Sequence, residues 1–156
     1  PWLTWQRVEQ ETEMRNLIAG ELRKRAQSKY SISQENELAN SQRTDIRLDN
    51  PTVNSPVPIE LKILDKSWSG PKLCERLRNQ LVGDYLREST AGCGIFLLVA
   101  QDVDKKWEIS DKNVGLSELE PALQEYWYSI AHEWIGIDSI KVIVIDLSKR
   151  KLVATT

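Results

Sequence analysis

Hydrophobic and polar residues alternate most clearly in the segment VPIELKIL, residues 57–64. At the two-residue period of a β-strand, every second residue from Val57 to Ile63 is apolar and points to the same side. The opposite side carries Glu60 and Lys62 next to each other. The pattern predicts a strand with one face in the core, and it leaves open why the other face is charged. A half-buried antiparallel strand with a wet second face is the simplest interpretation.

The segments before this strand predict a helix and two more strands. Residues 3–29 predict a helix because apolar residues recur at three- and four-residue steps. Residues 30–39 and 43–48 predict the first and second strands, and a turn-rich connection with Asn and Pro leads to the third. Because the links are short, we expect the three strands to form an antiparallel meander.

Two further helices are predicted in the second half of the chain. Residues 67–89 begin with capping residues and carry Pro71 near a first turn, which is a helix-start signature. Residues 115–134 form an amphipathic pattern, with Ser117 and Glu120 at the spacing of a capping box.

Two apolar runs, residues 93–102 and 141–148, predict strands that are covered on both faces. The predicted order is therefore α-β-β-β-α-β-α-β. A meander followed by helical crossovers predicts an α/β fold with a mixed β-sheet flanked by helices. We expect a single domain over residues 1–156. Since the chain begins with Pro1 on a Trp-rich segment, we also expect it to be a fragment of a larger protein.

Composition narrows the class of protein. The chain has 156 residues, of which 40% are hydrophobic and 28% charged, a globular balance. Its net charge of -2 is unlike that of a protein that coats DNA. No apolar run approaches the roughly 20 residues of a membrane span, so we expect no membrane partner. The two cysteines lack metal-ligand spacing, and a reduced, cytoplasmic location is the default expectation.

A second interpretation of the charged strand face is that three charged residues there form a metal and phosphate site. If the second and third strands pair, Asp45 and Glu60 converge on one side of the sheet, with Lys62 two residues beyond. Two carboxylates, with a backbone carbonyl such as that of Leu61, offer the oxygen ligands that Mg²⁺ prefers. A lysine beside such an ion could steady an attacking hydroxide or developing negative charge. These residue types in this pattern predict phosphodiester hydrolysis.

The motifs TDIRL and PIELK, with the Pro/Asn-rich link between them, resemble the PD-(D/E)XK nuclease superfamily over about residues 3–102. The resemblance implies a restriction-endonuclease-like αβββαβ core, to which this chain adds a C-terminal helix and strand. It implies metal binding by Asp45 and Glu60, catalysis by these acids with Lys62, and Mg²⁺ as the cofactor, with Mn²⁺ as a substitute. Thr44 stands where the motif has its Pro.

The next helix adds a second motif. Gln80 and Tyr85 resemble the Gln-x-x-x-Tyr motif of the RecB-like branch, with a gap of four residues instead of three. Gln80 is expected on the buried side of the helix, orienting substrate or a carboxylate in the catalytic site. An acid from the first helix or first strand often completes the metal site in this superfamily. Glu35 is the preferred candidate and Glu21 the alternative.

A basic group follows the charged strand. Any one of these residues could belong to a solvated helix face, but together they predict a phosphate-holding surface. Trp68 is the tryptophan expected near DNA. The basic group comprises Lys66, Lys72, Arg76, Arg78 and Arg87, and the residues assigned to nucleic-acid binding are Arg43, Lys66, Lys72, Arg76 and Tyr85.

The sequence thus predicts a Mg²⁺-dependent deoxyribonuclease, endonuclease in preference to exonuclease, of the kind found in restriction, phage defence or repair. Expected partners are DNA and other domains or subunits of a larger complex, and a homo-oligomer is left open. Three alternatives remain: a catalytically inactive interaction domain, an RNA-cleaving nuclease on the same scaffold, and an α/β regulatory domain without a nucleic-acid role.

Overall fold

The computed structural model describes residues 2–34, 45–65, 67–86 and 92–148. They form one five-stranded sheet with helices on both faces, and a separate two-stranded hairpin. The helices are α1 (Trp2–Arg7), α2 (Glu11–Ala26), α3 (Gly70–Glu75), a π-helix (Arg76–Leu86), α4 (Leu116–Ile130) and a 3-10 turn (Ala131–Glu133). The strands are β1 (Ser31–Ser33), β2 (Ile46–Asn50), β3 (Val53–Leu64), β4 (Cys93–Ala100), β5 (Trp107–Ile109), β6 (Lys112–Val114) and β7 (Ser139–Asp146).

The main sheet has the strand order β1-β2-β3-β4-β7. The β1–β2 and β2–β3 pairs are antiparallel, whereas β3–β4 and β4–β7 are parallel. Short connections permit the antiparallel pairs, and the parallel pairs need the helical crossovers that precede β4 and β7. The α/β class and the mixed sheet flanked by helices are therefore confirmed.

Each face of the sheet has its own hydrophobic core. On one face, α2 packs Met14 and Ile18 against Ile59, Leu61 and other apolar residues of the sheet. On the other, α3, the π-helix and α4 pack against Leu64 and the apolar residues of β4 and β7. Because successive strand residues point to opposite faces, β3 contributes to both cores.

The first segment differs from the prediction of a single helix over residues 3–29. The helix is interrupted between Arg7 and Glu11, where Gln10 adopts an extended conformation and precedes α2. Val8, in the interruption, is buried in the same core cluster as Met14 and Ile18 of α2. The predicted first strand is observed over Ser31–Ser33, and residues 35–44 lie outside the described part of the chain.

The helix predicted over residues 67–89 begins as expected and then changes form. The Ser69 hydroxyl caps α3 by accepting from the Lys72 amide at 3.3 Å, and Pro71 lies in the first turn. From Arg76 the chain continues as a π-helix, whose wider winding the apolar spacing did not predict.

The capping box predicted at Ser117 and Glu120 is wrong. Gly115 is the residue before α4, and no side chain caps the helix there. The Glu120 carboxylate instead accepts from the Val144 amide at 2.8 Å, because α4 lies against the edge strand β7. A contact with a strand distant in sequence therefore replaces the local one.

The hairpin β5–β6 was also not predicted, and it packs against the start of α3. Gly70 makes this close approach possible: a Cβ atom there would lie 1.8 Å from the carbonyl oxygen of Glu108. Trp107 of the hairpin is buried in the same core as α3.

Candidate active site

The charged face of β3 is buried. Glu60 is 1% exposed and Lys62 is 9% exposed, so the interpretation of a wet strand face is wrong. Alternation places both residues on the face of the sheet that carries Leu64, opposite the face that carries Ile59, Leu61 and Ile63. Ionisable groups at such burial need partners, because removing a charge from water is unfavourable.

Asp45 lies beside Glu60 because it directly precedes β2. The β2–β3 register places Ile46 opposite Ile59. Asp45 is 8% exposed, and its Oδ2 accepts a hydrogen bond of 2.7 Å from the Leu61 amide. That bond fixes the carboxylate to the backbone of β3, between the two charged side chains. The predicted convergence of Asp45 and Glu60 on one site is thus present in the geometry.

Lys62, two residues beyond Glu60 on β3, is the third member of the cluster. Its Nζ lies 2.9 Å from Glu60 Oε1 and 3.7 Å from Glu11 Oε2. The same Nζ lies 5.6 Å from the centroid of the Trp68 ring, within the range of a cation–π contact. The ammonium is therefore held among two carboxylates and an aromatic ring.

The electrostatics follow from burial. Burial raises the pKa of Glu60 to about 8, with a smaller contribution from the Asp45 charge, and the attraction of Lys62 only partly offsets this. Burial likewise raises the pKa of Asp45, against the opposing effects of the Leu61 amide and Arg15. Burial by itself lowers the pKa of Lys62, but the surrounding carboxylates outweigh it and leave that pKa raised. The site favours a proton or another cation on its acids.

Two residues of α2 complete the cluster, and the sequence-based prediction missed both. Glu11 contacts Lys62, and Arg15 Nη2 lies 3.1 Å from Asp45 Oδ1. Their spacing of four residues places them on one side of α2, next to the apolar residues that face the sheet. That spacing was a usable signal, but charged pairs four residues apart are too common on helices to be selected without the fold.

The candidates for the third acid fare differently. Glu21 pairs with Lys24 at 3.2 Å and with Arg25 at 3.9 Å, on the exposed side of α2, rather than joining the cluster. Glu35 lies outside the described residues. Glu11 is the α2 carboxylate that reaches the site.

Gln80 lies in the π-helix and is partly exposed rather than turned fully to the sheet. Its carbonyl oxygen accepts from Arg76 Nη1 at 3.5 Å. The backbone at Tyr85 belongs to the same π-helix. Because a π-helix bonds residues five apart, its winding brings positions 80 and 85 to one side, as an α-helix does for residues four apart. The extra residue in the Gln/Tyr motif therefore coincides with a wider helix.

Only some residues of the predicted basic surface belong to the described part of the chain. Lys72 and Arg76 line a groove of about 230 Å³ together with Ser67, Trp68 and Glu75. Arg78 instead pairs with Glu133 at 3.3 Å. Arg43, Lys66 and Arg87 lie outside the described residues.

The carboxylate oxygens of the cluster fit a divalent cation in their chemistry. Glu60 Oε2 is buried and has no hydrogen-bond partner among the described residues. Carboxylate oxygen is the donor that Mg²⁺ prefers, and an oxygen without a partner in a site that disfavours negative charge would gain from such an ion. Within the described residues, no group of three or more His, Cys, Asp or Glu side chains is already gathered closely enough to form a metal site.

Comparison of the chain with protein-family models, with curated proteins and with solved structures finds no match. Among the described residues, no helix is long and apolar enough to span a membrane.

Proposed function

We propose that this chain is a Mg²⁺-dependent deoxyribonuclease with a restriction-endonuclease-like fold of the PD-(D/E)XK type. The observation that carries the proposal is the buried cluster of Asp45, Glu60 and Lys62, in which Glu60 Oε2 lacks a hydrogen-bond partner among the described residues and the pKa of Glu60 is raised to about 8. Strongly shifted acids beside a specific charge partner are typical of functional sites.

The element order supports the proposed fold. A helix, a three-strand meander, a helical crossover and a parallel strand follow one another from α2 to β4. The cluster lies where β2 and β3 meet, so that Asp45 comes from the start of one strand and Glu60 with Lys62 from the middle of the next. This arrangement matches the one expected for the superfamily that TDIRL and PIELK resemble.

In this proposal Asp45 and Glu60 hold the ion, and Glu11 replaces Glu35 and Glu21 as the candidate third acid. When bound, Mg²⁺ would polarise the phosphate and lower the pKa of a coordinated water. Lys62, held at 2.9 Å from Glu60, would donate hydrogen bonds to the attacking oxygen or the phosphate. The Leu61 amide holds Asp45 in place. Gln80 and the groove residues would orient the nucleic acid.

The first test is DNA cleavage with Mg²⁺ or Mn²⁺. Plasmid, linear and single-stranded DNA, with an RNA of the same sequence, are compared for wild type, Glu60→Gln and Lys62→Met, with EDTA as the blank. We expect metal-dependent cutting by wild type and a loss of at least about 100-fold in each variant, as for removal of a group that stabilises the transition state. Plasmid nicking separates an endonuclease from an exonuclease, and cutting of RNA alone would support the RNA-cleaving alternative.

Glu11 has a matched control in the same first turn of α2. Glu13 is exposed, whereas Glu11 contacts Lys62. If Glu11 completes the metal site, Glu11→Gln weakens Mn²⁺ binding, measured by calorimetry, and Glu13→Gln does not. Equal effects in the two variants would remove Glu11 from the site.

The second candidate is a nuclease-like interaction domain that does not cut. Arg15 favours it, because a guanidinium at 3.1 Å from Asp45 Oδ1 already neutralises one of the two acids. Its test is Mg²⁺-dependent thermal stabilisation of wild type, Arg15→Gln and Glu60→Gln. Stabilisation of wild type that is lost in Glu60→Gln supports the nuclease. Stabilisation that appears only in Arg15→Gln supports the inactive domain.

A further inference from the structure

Trp68 is a groove residue whose specific contact with the nucleic acid the proposed chemistry leaves undefined. It follows β3 and is only partly buried. Its backbone is nevertheless held in place, because two side chains donate to its carbonyl oxygen: Lys105 Nζ at 2.7 Å and Trp107 Nε1 at 3.1 Å. Trp107 is 1% exposed, so the second donor belongs to the core. The fold thus anchors the backbone from which a partly exposed indole extends beside Lys62.

Trp68 also lines the groove described above, which we call the Trp68 groove. Ser67, Lys72, Glu75 and Arg76 form the remainder of its lining. Lys72 and Arg76 are exposed, and they donate long hydrogen bonds of 3.4 Å to the Ser67 carbonyl and 3.5 Å to Gln80. An aromatic surface beside two cations is the combination that binds a nucleotide: the ring stacks on a base and the cations hold its phosphate.

We propose that the Trp68 groove binds one unpaired nucleotide next to the phosphate that is cut, so that the substrate is single-stranded DNA or a frayed or flapped end. The proposal rests on the proposed nuclease function for the position of the cut. Base stacking on Trp68 requires a base that has left the duplex stack. Among the described residues, the groove lining has two cations and one opposing carboxylate, Glu75, which is little charge with which to follow a duplex backbone.

The volume of the groove suits this role. At about 230 Å³, the groove has room for part of one nucleotide, such as its base, and not for a double helix. The 5.6 Å contact between Lys62 and the same indole makes Trp68 a link between the groove and the cluster. A nucleotide in the groove would therefore place its neighbouring phosphate near Lys62.

The test measures binding in EDTA, where no cutting occurs. Fluorescence anisotropy compares a short single-stranded oligonucleotide, a blunt duplex and a duplex with a single-stranded flap. We expect the single strand and the flap to bind at least about tenfold more tightly than the blunt duplex. Trp68→Leu should weaken single-strand binding at least about fivefold, the lower end of one lost stacking contact, while Trp68→Phe keeps most of it. Tyr128→Leu is the control, since Tyr128 is 67% exposed on α4.

The charged residues of the groove give an independent second measurement. Binding is also measured over a series of salt concentrations. Lys72→Ala and Arg76→Ala should each reduce the slope of log K against log[salt] by about 0.7 in magnitude, the value for one single-strand phosphate contact. Glu75→Gln should strengthen binding, because it removes the carboxylate that repels the phosphate. Circular dichroism confirms folding of each variant before binding is compared.

The outcomes separate this proposal from the nuclease itself. Single-strand preference that is lost in Trp68→Leu, without metal-dependent cutting by wild type, supports the groove and removes the nuclease. Metal-dependent cutting with equal affinity for single strand and duplex, unchanged in Trp68→Leu, overturns the groove and leaves the nuclease. Loss of binding in Tyr128→Leu equal to that in Trp68→Leu would also overturn the groove.

Discussion

Two neighbouring strands, β3 and β4, place very different residues at equivalent buried positions. In their parallel register Glu60 lies beside Phe96 and Lys62 beside Leu98, on the same face of the sheet. Phe96 and Leu98 are each fully buried, and Glu60 and Lys62 are almost as deeply buried. The two strands therefore differ in chemistry and hardly at all in burial.

Stability alone explains the buried residues of β4 but not the charged pair of β3. Burying Phe or Leu removes apolar area from water and is favourable, whereas burying an ion pair loses hydration that its Coulomb attraction often fails to restore. The fold tolerates Glu60 and Lys62, since they contact each other, Glu11 and Trp68. Apolar burial alone therefore does not account for the charged residues of β3, and the proposed nuclease function would give Glu60 and Lys62 a role there.

The largest effect on stability is expected on β4. Leu98→Ala should lower the free energy of unfolding by about 2–5 kcal/mol, because it removes a fully buried side chain and leaves a cavity. Urea denaturation measures it. A loss below about 1 kcal/mol would mean that the core around β4 is not as tightly packed as its burial indicates.

Replacing the charged pair of β3 with apolar residues like those of β4 should not lower the free energy of unfolding. The double variant Glu60→Leu with Lys62→Met should leave the free energy of unfolding unchanged or raise it by about 1–4 kcal/mol, because a buried ion pair is replaced by apolar groups. The same variant should lose Mg²⁺-dependent thermal stabilisation and cutting. A stability loss as large as that of Leu98→Ala would make the charged pair structural and contradict the comparison.

The pH dependence of stability should also depend on β3. Burial raises the pKa of Glu60 from 4.5 to about 8, so in that interval the folded state keeps a proton that the unfolded state has released. Stability should therefore fall as the pH rises from about 4.5 to 8, by up to about 1.4 kcal/mol per pH unit. Thermal unfolding in a pH series measures it, and Glu60→Gln should flatten the curve. A wild-type curve that rises through this interval by the same amount in Glu60→Gln would show that Glu60 is not shifted.

The smallest effect is expected for an ion pair that is not buried. Arg47 and Asp49 on β2 lie 3.3 Å apart, with side chains 36% and 39% exposed. Asp49→Asn should change the free energy of unfolding by less than about 1 kcal/mol, because water screens the pair. The measurement sharpens the contrast with the Glu60–Lys62 pair at nearly the same distance. A change above about 2 kcal/mol would show that exposure is a poor guide to ion-pair strength in this sheet.

Much of the fold could be predicted from the sequence because its signals are local. Two-residue alternation identified β3, continuous apolar runs identified β4 and β7, and capping residues with Pro71 identified the start of α3. Alternation also placed Glu60 and Lys62 on one face, and strand order brought Asp45 near them. These features depend on neighbours within one element or on adjacent strands, where periodicity carries the information.

The sequence by itself determined the class of fold and the three central charged residues. The tertiary structure decided the rest: the burial of the charged face, the approach of Glu11 and Arg15 from α2, and the fixing of Trp68 by Lys105 and Trp107. Glu11 and Lys62 are far apart in the chain, and the spacing of Glu11 from Arg15, which Glu13 lacks, is too common on helices to select Glu11. Helix packing selects which acid faces the sheet, because a side chain's partners and its hydration are set only when distant elements come together.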